Sequence, residues 1–259
     1  MPVRDNERGV MNSLYGDWGT LAFVLAGALV GGFVNGLTGF GTGLTALPLW
    51  LQAVEPLVAA QLVSAASVVG HVAMLPAIWH AIDWRRLAPM LVAGLVGVPI
   101  GTWVLPWISL AVFKSLVGCL LIGYCAFMLF AAGRLRLSAG GRGAEAVVGL
   151  FGGVLGGLAG LSGALPTVWA TLKGWPKDER RVLFQAFNMT ILSAMLVASL
   201  VQGQIGLRFL VALGVALPAT LFGVYLGSLL YPRLDDRRFD RIVLVLLLVS
   251  GLGLVWQNR

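Results

Sequence analysis

Gly31-Gly32-Phe33-Val34-Asn35-Gly36-Leu37-Thr38-Gly39 lies inside a membrane-length apolar stretch, and the chain writes the pattern again 121 residues later as Gly152-Gly153-Val154-Leu155-Gly156-Gly157-Leu158-Ala159-Gly160. Five of the nine positions are identical. Each copy is followed by a short apolar stretch that ends in a charged or proline-containing loop. A duplicated pair of glycine-interrupted hydrophobic segments points to the substrate site of a secondary transporter, and the rest of the chain is read outward from that pair.

The 259 residues are 58% hydrophobic and 11% charged, where a soluble domain carries about 25% charge. Apolar runs of spanning length recur from end to end, and no polar block is large enough for a separate soluble domain. The first 17 residues are mixed in charge and lack the basic start, apolar core and cleavage site of a signal peptide. Cys119 and Cys125 share one apolar span, which argues against a disulfide framework or a metal site. The net charge of +7 comes from basic residues scattered over loops. That pattern fixes cytoplasmic loops and excludes nucleic-acid binding, which needs a basic patch interleaved with aromatics.

The apolar segments run over residues 20–54, 57–81, 87–105, 110–132, 144–172, 182–201, 209–230 and 242–256. The first would reach ~52 Å and the fifth ~43 Å as straight helices, against a hydrocarbon core of about 30 Å. Both hold the glycine pattern near the middle, so each is either a hairpin of two half-helices or one overlong broken span. Charge decides between them. If both return to the side they came from, 13 of the 18 basic residues collect on one side, in loops 82–86, 133–143, 173–181 and 232–241. If both cross, the split is nine against nine. The positive-inside rule therefore selects hairpins, with the 13-residue side cytoplasmic and both termini outside. The expected fold is an all-α polytopic membrane protein of two inverted-topology repeats, each a broken, re-entrant helical hairpin plus three transmembrane helices. Residues 1–18 form a tail, 19–133 the first repeat, 134–143 a cytoplasmic linker and 144–257 the second repeat. Gly97-Val98-Pro99-Ile100-Gly101 and Gly223-Val224-Tyr225-Leu226-Gly227 extend the duplication at an offset of 126. Trp18, Trp79, Trp84, Trp103, Trp107, Trp175 and Trp256 fall near span ends and read as an interfacial belt.

The two breaks are the candidate site. Gly36-Leu37-Thr38-Gly39-Phe40-Gly41-Thr42-Gly43 frees backbone amides, and a half-helix beginning near Leu44 would present unpaired N–H groups and the positive end of its dipole near the midplane. Thr38, Thr42 and Thr45 add hydroxyls. Gly160, Ser162 and Gly163 form the second tip, and hairpins arriving from opposite faces should meet. Gly32, Gly36, Gly153 and Gly157 also fit close helix packing. Asn35, Gly39 and Gly41 complete the first tip's candidates for substrate contact. Gln61 with Ser64, and Gln185 with Asn188 at an offset of 124, place two polar faces on equivalent spans. They are candidates to line a polar path or to bond between helices. His71 is the mid-span group whose ordinary titration lies near neutrality and is the candidate for proton coupling. Asp178, Glu179, Arg180 and Arg181 open the sixth segment, with the two arginines candidate gate or anion-attracting groups. No Gly-x-Ser-x-Gly, His-Glu-x-x-His or pair of membrane acids is present, so no catalytic residue, metal or cofactor is expected.

These residues resemble the sulfite exporter TauE/SafE family of bacterial membrane permeases. The likeness rests on Gly36 to Gly43 leading to Leu47-Pro48, on Ile82-Asp83-Trp84-Arg85, on Gly157 to Gly163, and on Arg181 to Asn188 with Phe184-Gln185-Ala186-Phe187-Asn188. It covers about residues 19–257. The second hairpin departs from the first, with Ala164-Leu165-Pro166 where the first has Gly43-Leu44-Thr45. The resemblance implies transport of sulfite, sulfonates or related small organic anions across the bacterial cytoplasmic membrane, most simply as an exporter. The driving force would be the proton gradient or the membrane potential, because the chain holds no nucleotide-binding motif. The competing reading is a non-transporting assembly or sensing subunit, or an intramembrane enzyme. The expected partners are a small anionic substrate and the lipid bilayer, with a homodimer left open.

Overall fold

The computed structural model describes residues 18–78, 83–130 and 141–233, all helical or in short connections, with no strand among them. Nine α-helices follow in order: α1 (Trp18–Thr38), α2 (Thr42–Trp50), α3 (Pro56–Ile78), α4 (Trp84–Val104), α5 (Leu110–Phe130), α6 (Arg142–Ala159), α7 (Ala164–Leu172), α8 (Lys177–Val201) and α9 (Leu207–Leu230). Seven of them are long and apolar enough to cross a membrane. The two that are not, α2 and α7, have nine residues each and reach only ~13 Å. They directly follow the two glycine patterns. The segment at 242–256, both chain ends, His80, Trp79 and Trp256 lie outside the described residues.

Glycine chemistry sets both breaks. Gly39 and Gly41 sit at φ 75° and 92°, and Gly160 at φ 69°, backbone that L side chains adopt at a cost. At the second break the Gly160 N–H bonds to Gly156 O and the Leu161 N–H reaches back to Leu155 O, the pairing that ends a helix through a left-handed residue. The arms are unequal: 21 residues before the first break and 9 after it, 18 and 9 at the second. Trp50 at the end of α2 donates through Nε1 to Val24 O at 2.9 Å, and a methyl on Gly31 would meet Thr42 and Ala46 side chains. So α2 lies antiparallel along α1.

Two tight helix pairs cross between the two halves of the sequence. Added methyls at Gly32 and Gly36 would strike the carbonyls of Thr220 and Val224, and methyls at Gly223 and Gly227 would strike Leu29 O and Phe33 O. The register advances in the same direction on both helices, so α1 and α9 run parallel. In the same way Gly149, Gly153 and Gly157 of α6 face the carbonyls of Met90, Gly94 and Val98 on α4, so α4 and α6 run parallel. Removing the side chain lets the backbones touch, which is how membrane helices associate without a hydrophobic drive. Between these pairs α3 packs against α8.

The contacts sort the helix ends. Glu55 and Arg208 pair at 2.8 Å, and Gln61 Nε2 donates to Gln204 O at 3.2 Å, at one end. At the other, Tyr231 donates its hydroxyl to Asp178 and Arg180 donates to Thr171 at 3.4 Å. The outward faces are apolar: Val92, Val96, Ile100 and Trp103 on α4, and Phe222, Tyr225 and Leu229 on α9, are exposed. Trp18, Trp84 and Trp107 are exposed at helix ends. The chain is a multi-pass integral membrane protein.

Candidate functional site

The two breaks come together in the buried interior. A methyl on Gly43 would lie 2.7 Å from Gly160 O, and one on Gly163 would lie 3.2 Å from Phe40 Cδ2. A cavity of about 10 Å³ remains between the tips, room for one water-sized sphere. Its walls are the first tip from Phe40 to Leu44, the second from Gly160 to Ala164, Ser67 and His71 of α3, and Asn188 and Leu192 of α8.

The N-termini of both short helices open on this cavity, and neither has a side-chain cap. In α2 the first helical bond runs from Thr45 N to Gly41 O at 3.1 Å, so the amides of Thr42, Gly43 and Leu44 precede the ladder and have no acceptor within the helix. The α7 turn closes from Thr167 N to Gly163 O at 3.0 Å. Pro166 lacks an N–H, so the second tip offers fewer amides. The tips therefore share a plan and differ in donor supply.

Of the residues expected at the site, Gly41, Thr42, Gly160, Ser162, Gly163, Asn188 and His71 line the cavity. Thr42 Oγ1 and both ring nitrogens of His71 are buried without a hydrogen-bond partner, and each residue is 1% exposed. Ser162 donates to Asn188 Oδ1 at 2.6 Å, tying the second tip to α8. The other candidates stand elsewhere. Asn35 donates to Ser67 O at 3.3 Å. Thr38 donates to Val34 O at 2.9 Å and accepts from the Phe40 N–H at 3.1 Å, holding the turn. Ser64 returns its hydroxyl to Ala60 O at 2.9 Å, and Gln61 reaches Gln204. Gly39 is pressed against the stems of Gln185 and Arg181. Gln185 is buried beside it, both ends of its amide without a partner.

One cavity-lining residue, Ser67, escaped the sequence reading, and Arg181, a candidate gate or anion-attracting group by sequence, is held at the end of a helix. Ser67 stands one turn before His71 on the same face of α3, a spacing that flags it once His71 is singled out. Arg181 donates through Nη2 to Gly36 O at 2.9 Å and stacks 3.8 Å from the Tyr231 ring. It caps the C-terminal end of α1 from across the sequence, where a cation suits the helix dipole. At the Glu55 end a second, open cavity of about 490 Å³ is lined by Gln52, Glu55, Leu110 and Arg208 among others. No group of three metal-ligating side chains occurs among the described residues.

A protein of Cupriavidus necator named probable sulfite/organosulfonate exporter TauE is 26% identical over 233 residues, which cover 87% of this chain and 90% of that protein. No solved structure matches the chain. The family described as sulfite exporter TauE/SafE matches residues 23–254, a stretch that takes in both glycine tips and every helix that walls the cavity between them, and the chain belongs to that family.

Proposed function

We propose that this chain is a secondary transporter that exports a small anion, sulfite or an organosulfonate, and binds it between the two glycine tips. The gap between the tips carries this reading; it holds one water-sized sphere as it stands, and the tips would part to admit the anion. Two uncapped helix N-termini face the gap, and a buried hydroxyl and imidazole on its wall lack protein partners. Helix N-termini bind anions without a basic side chain, and a transporter must release its cargo, so a site with no fixed cation suits it. Asn188, held by Ser162, and the amides of the first tip supply donors. His71 links the site to protons. Asn35, Gln61, Ser64 and Gln185 would join the path as helices shift during the cycle.

Residues 19–133 and 144–257 are read as two inverted repeats, each with one re-entrant hairpin and three crossings. The parallel pairs α1/α9 and α4/α6 support this, because a two-fold axis in the membrane plane exchanges one pair with the other. Arg85, Arg142, Lys173, Arg180, Arg181 and Arg233 fall at one end, and Lys114 and Arg208 at the other. The positive-inside rule makes the first end cytoplasmic, in the inner membrane of a bacterium. The open cavity beside Glu55 and Arg208 then faces outward as a release vestibule.

Counterflow in proteoliposomes tests the function. Internal unlabelled sulfite should drive uptake of labelled sulfite, with sulfonates competing and carboxylates of similar size competing less. Absence of exchange for every anion in that panel would exclude the transporter reading.

A further inference from the structure

The cavity wall offers hydrogen-bond donors, and on His71 a buried acceptor that has no partner. The first three amides of α2 and the Thr42 hydroxyl can donate. A neutral imidazole has one N–H and one bare nitrogen, and both nitrogens of His71 stand unpartnered. Among the described residues no carboxylate reaches the ring. Helices α1, α2, α3, α7 and α9 contain no Asp or Glu, and the acids of α6 and α8 (Glu145, Asp178 and Glu179) lie in their first turns. From α8, Arg181 approaches this region, with Nη2 3.9 Å from Met74 Sδ, three residues beyond His71. Tyr231 and Asp178 stand behind it. An imidazolium here would be a buried charge with no anion beside it among the described residues. The bare nitrogen therefore calls for a ligand that brings its own donor.

Resting on the transport reading above, we propose that the cavity selects hydrogensulfite over the sulfite dianion, and that His71 makes the selection by accepting a hydrogen bond from the ligand's acidic proton. The amides of the first tip take the charged oxygens. One negative charge is what a site without a fixed cation can hold. The dianion would leave the imidazole acceptor empty and buried, and a polar site rejects a ligand that leaves its groups unpaired. A proton then travels with the anion while no side chain changes charge.

Calorimetric binding of sulfite and of methanesulfonate to the purified full-length chain separates the possibilities. Methanesulfonate is a monoanion throughout the neutral range and has no acidic proton. Apparent sulfite affinity should fall with the hydrogensulfite fraction, about tenfold per pH unit on the alkaline side, while methanesulfonate affinity stays within about twofold. His71→Phe should weaken sulfite roughly threefold to tenfold more than it weakens methanesulfonate. His71→Gln, which keeps an acceptor, should retain the preference. Methanesulfonate that tightens in parallel with sulfite as pH falls would mean that the ring takes up the proton, and would overturn the proposal. So would a sulfite affinity that ignores pH. Those outcomes leave the transport site standing; failure of both anions to bind at any pH removes the site itself.

Discussion

Thr38 and Thr42 stand four residues apart on the same tip, and their hydroxyls have different fates. The Thr38 hydroxyl is held between Val34 O and the Phe40 backbone, whereas Thr42 Oγ1 is buried with no partner. Thr42→Ala should therefore weaken anion binding by roughly 0.5–1.5 kcal/mol and leave the fold intact, as calorimetry beside a thermal melt will show. Thr38→Val should do the reverse, lowering the melting temperature first. Gly41 has less latitude. Its φ is 92°, and a Cβ there would lie 2.9 Å from Val34 Cγ1. Gly41→Val should abolish transport through backbone strain and crowding together. Unchanged counterflow in that variant would remove the first tip from the site. The sequence marks both threonines and all the glycines as candidates. It cannot rank them, because the rank depends on which carbonyl each hydroxyl happens to face.

At the scale of helices, glycine has two separate duties in this chain. Gly39, Gly41 and Gly160 break helices through left-handed backbone. Gly32, Gly36, Gly153 and Gly157 keep their helices intact and admit a neighbouring backbone. The second duty is the close-packing alternative that their spacing permits. Gly153→Ala would press a methyl into Gly94 O and should destabilise the detergent-solubilised protein by about 1–3 kcal/mol. Gly214→Ala on α9 meets nothing within 4 Å and should be neutral or stabilising by up to about 1 kcal/mol. Equal melting temperatures for the two variants would contradict the α4/α6 interface. The repeat Gly97/Gly101 and Gly223/Gly227 was visible in sequence, but not which helix each would meet. Each meets the broken helix of the other half of the chain, a long-range choice that no local pattern encodes.

For the whole molecule, the proposed topology rests on the charge bias of the loops and on the parallel pairs α1/α9 and α4/α6. A variant free of Cys119 and Cys125 provides the background for a labelling test. An impermeant thiol reagent applied from the periplasm should modify Ser109→Cys, exposed at the start of α5, and spare Gly143→Cys, exposed at the start of α6. Labelling of position 143 from that side would invert the assignment. By itself the sequence determined that the chain is a helical membrane protein, that two segments break at glycines, and that the breaks are related by duplication. These follow from hydropathy, backbone sterics and charge, which act locally and are written residue by residue. Tertiary structure decided the rest. It brought residues 40–44 against 160–164, set His71, Ser67 and Asn188 around the gap, and turned Gln61, Ser64 and Asn35 to partners elsewhere. Those outcomes depend on how whole helices settle against one another once glycine has let their backbones touch, and a side chain's partner is fixed only when that packing is complete.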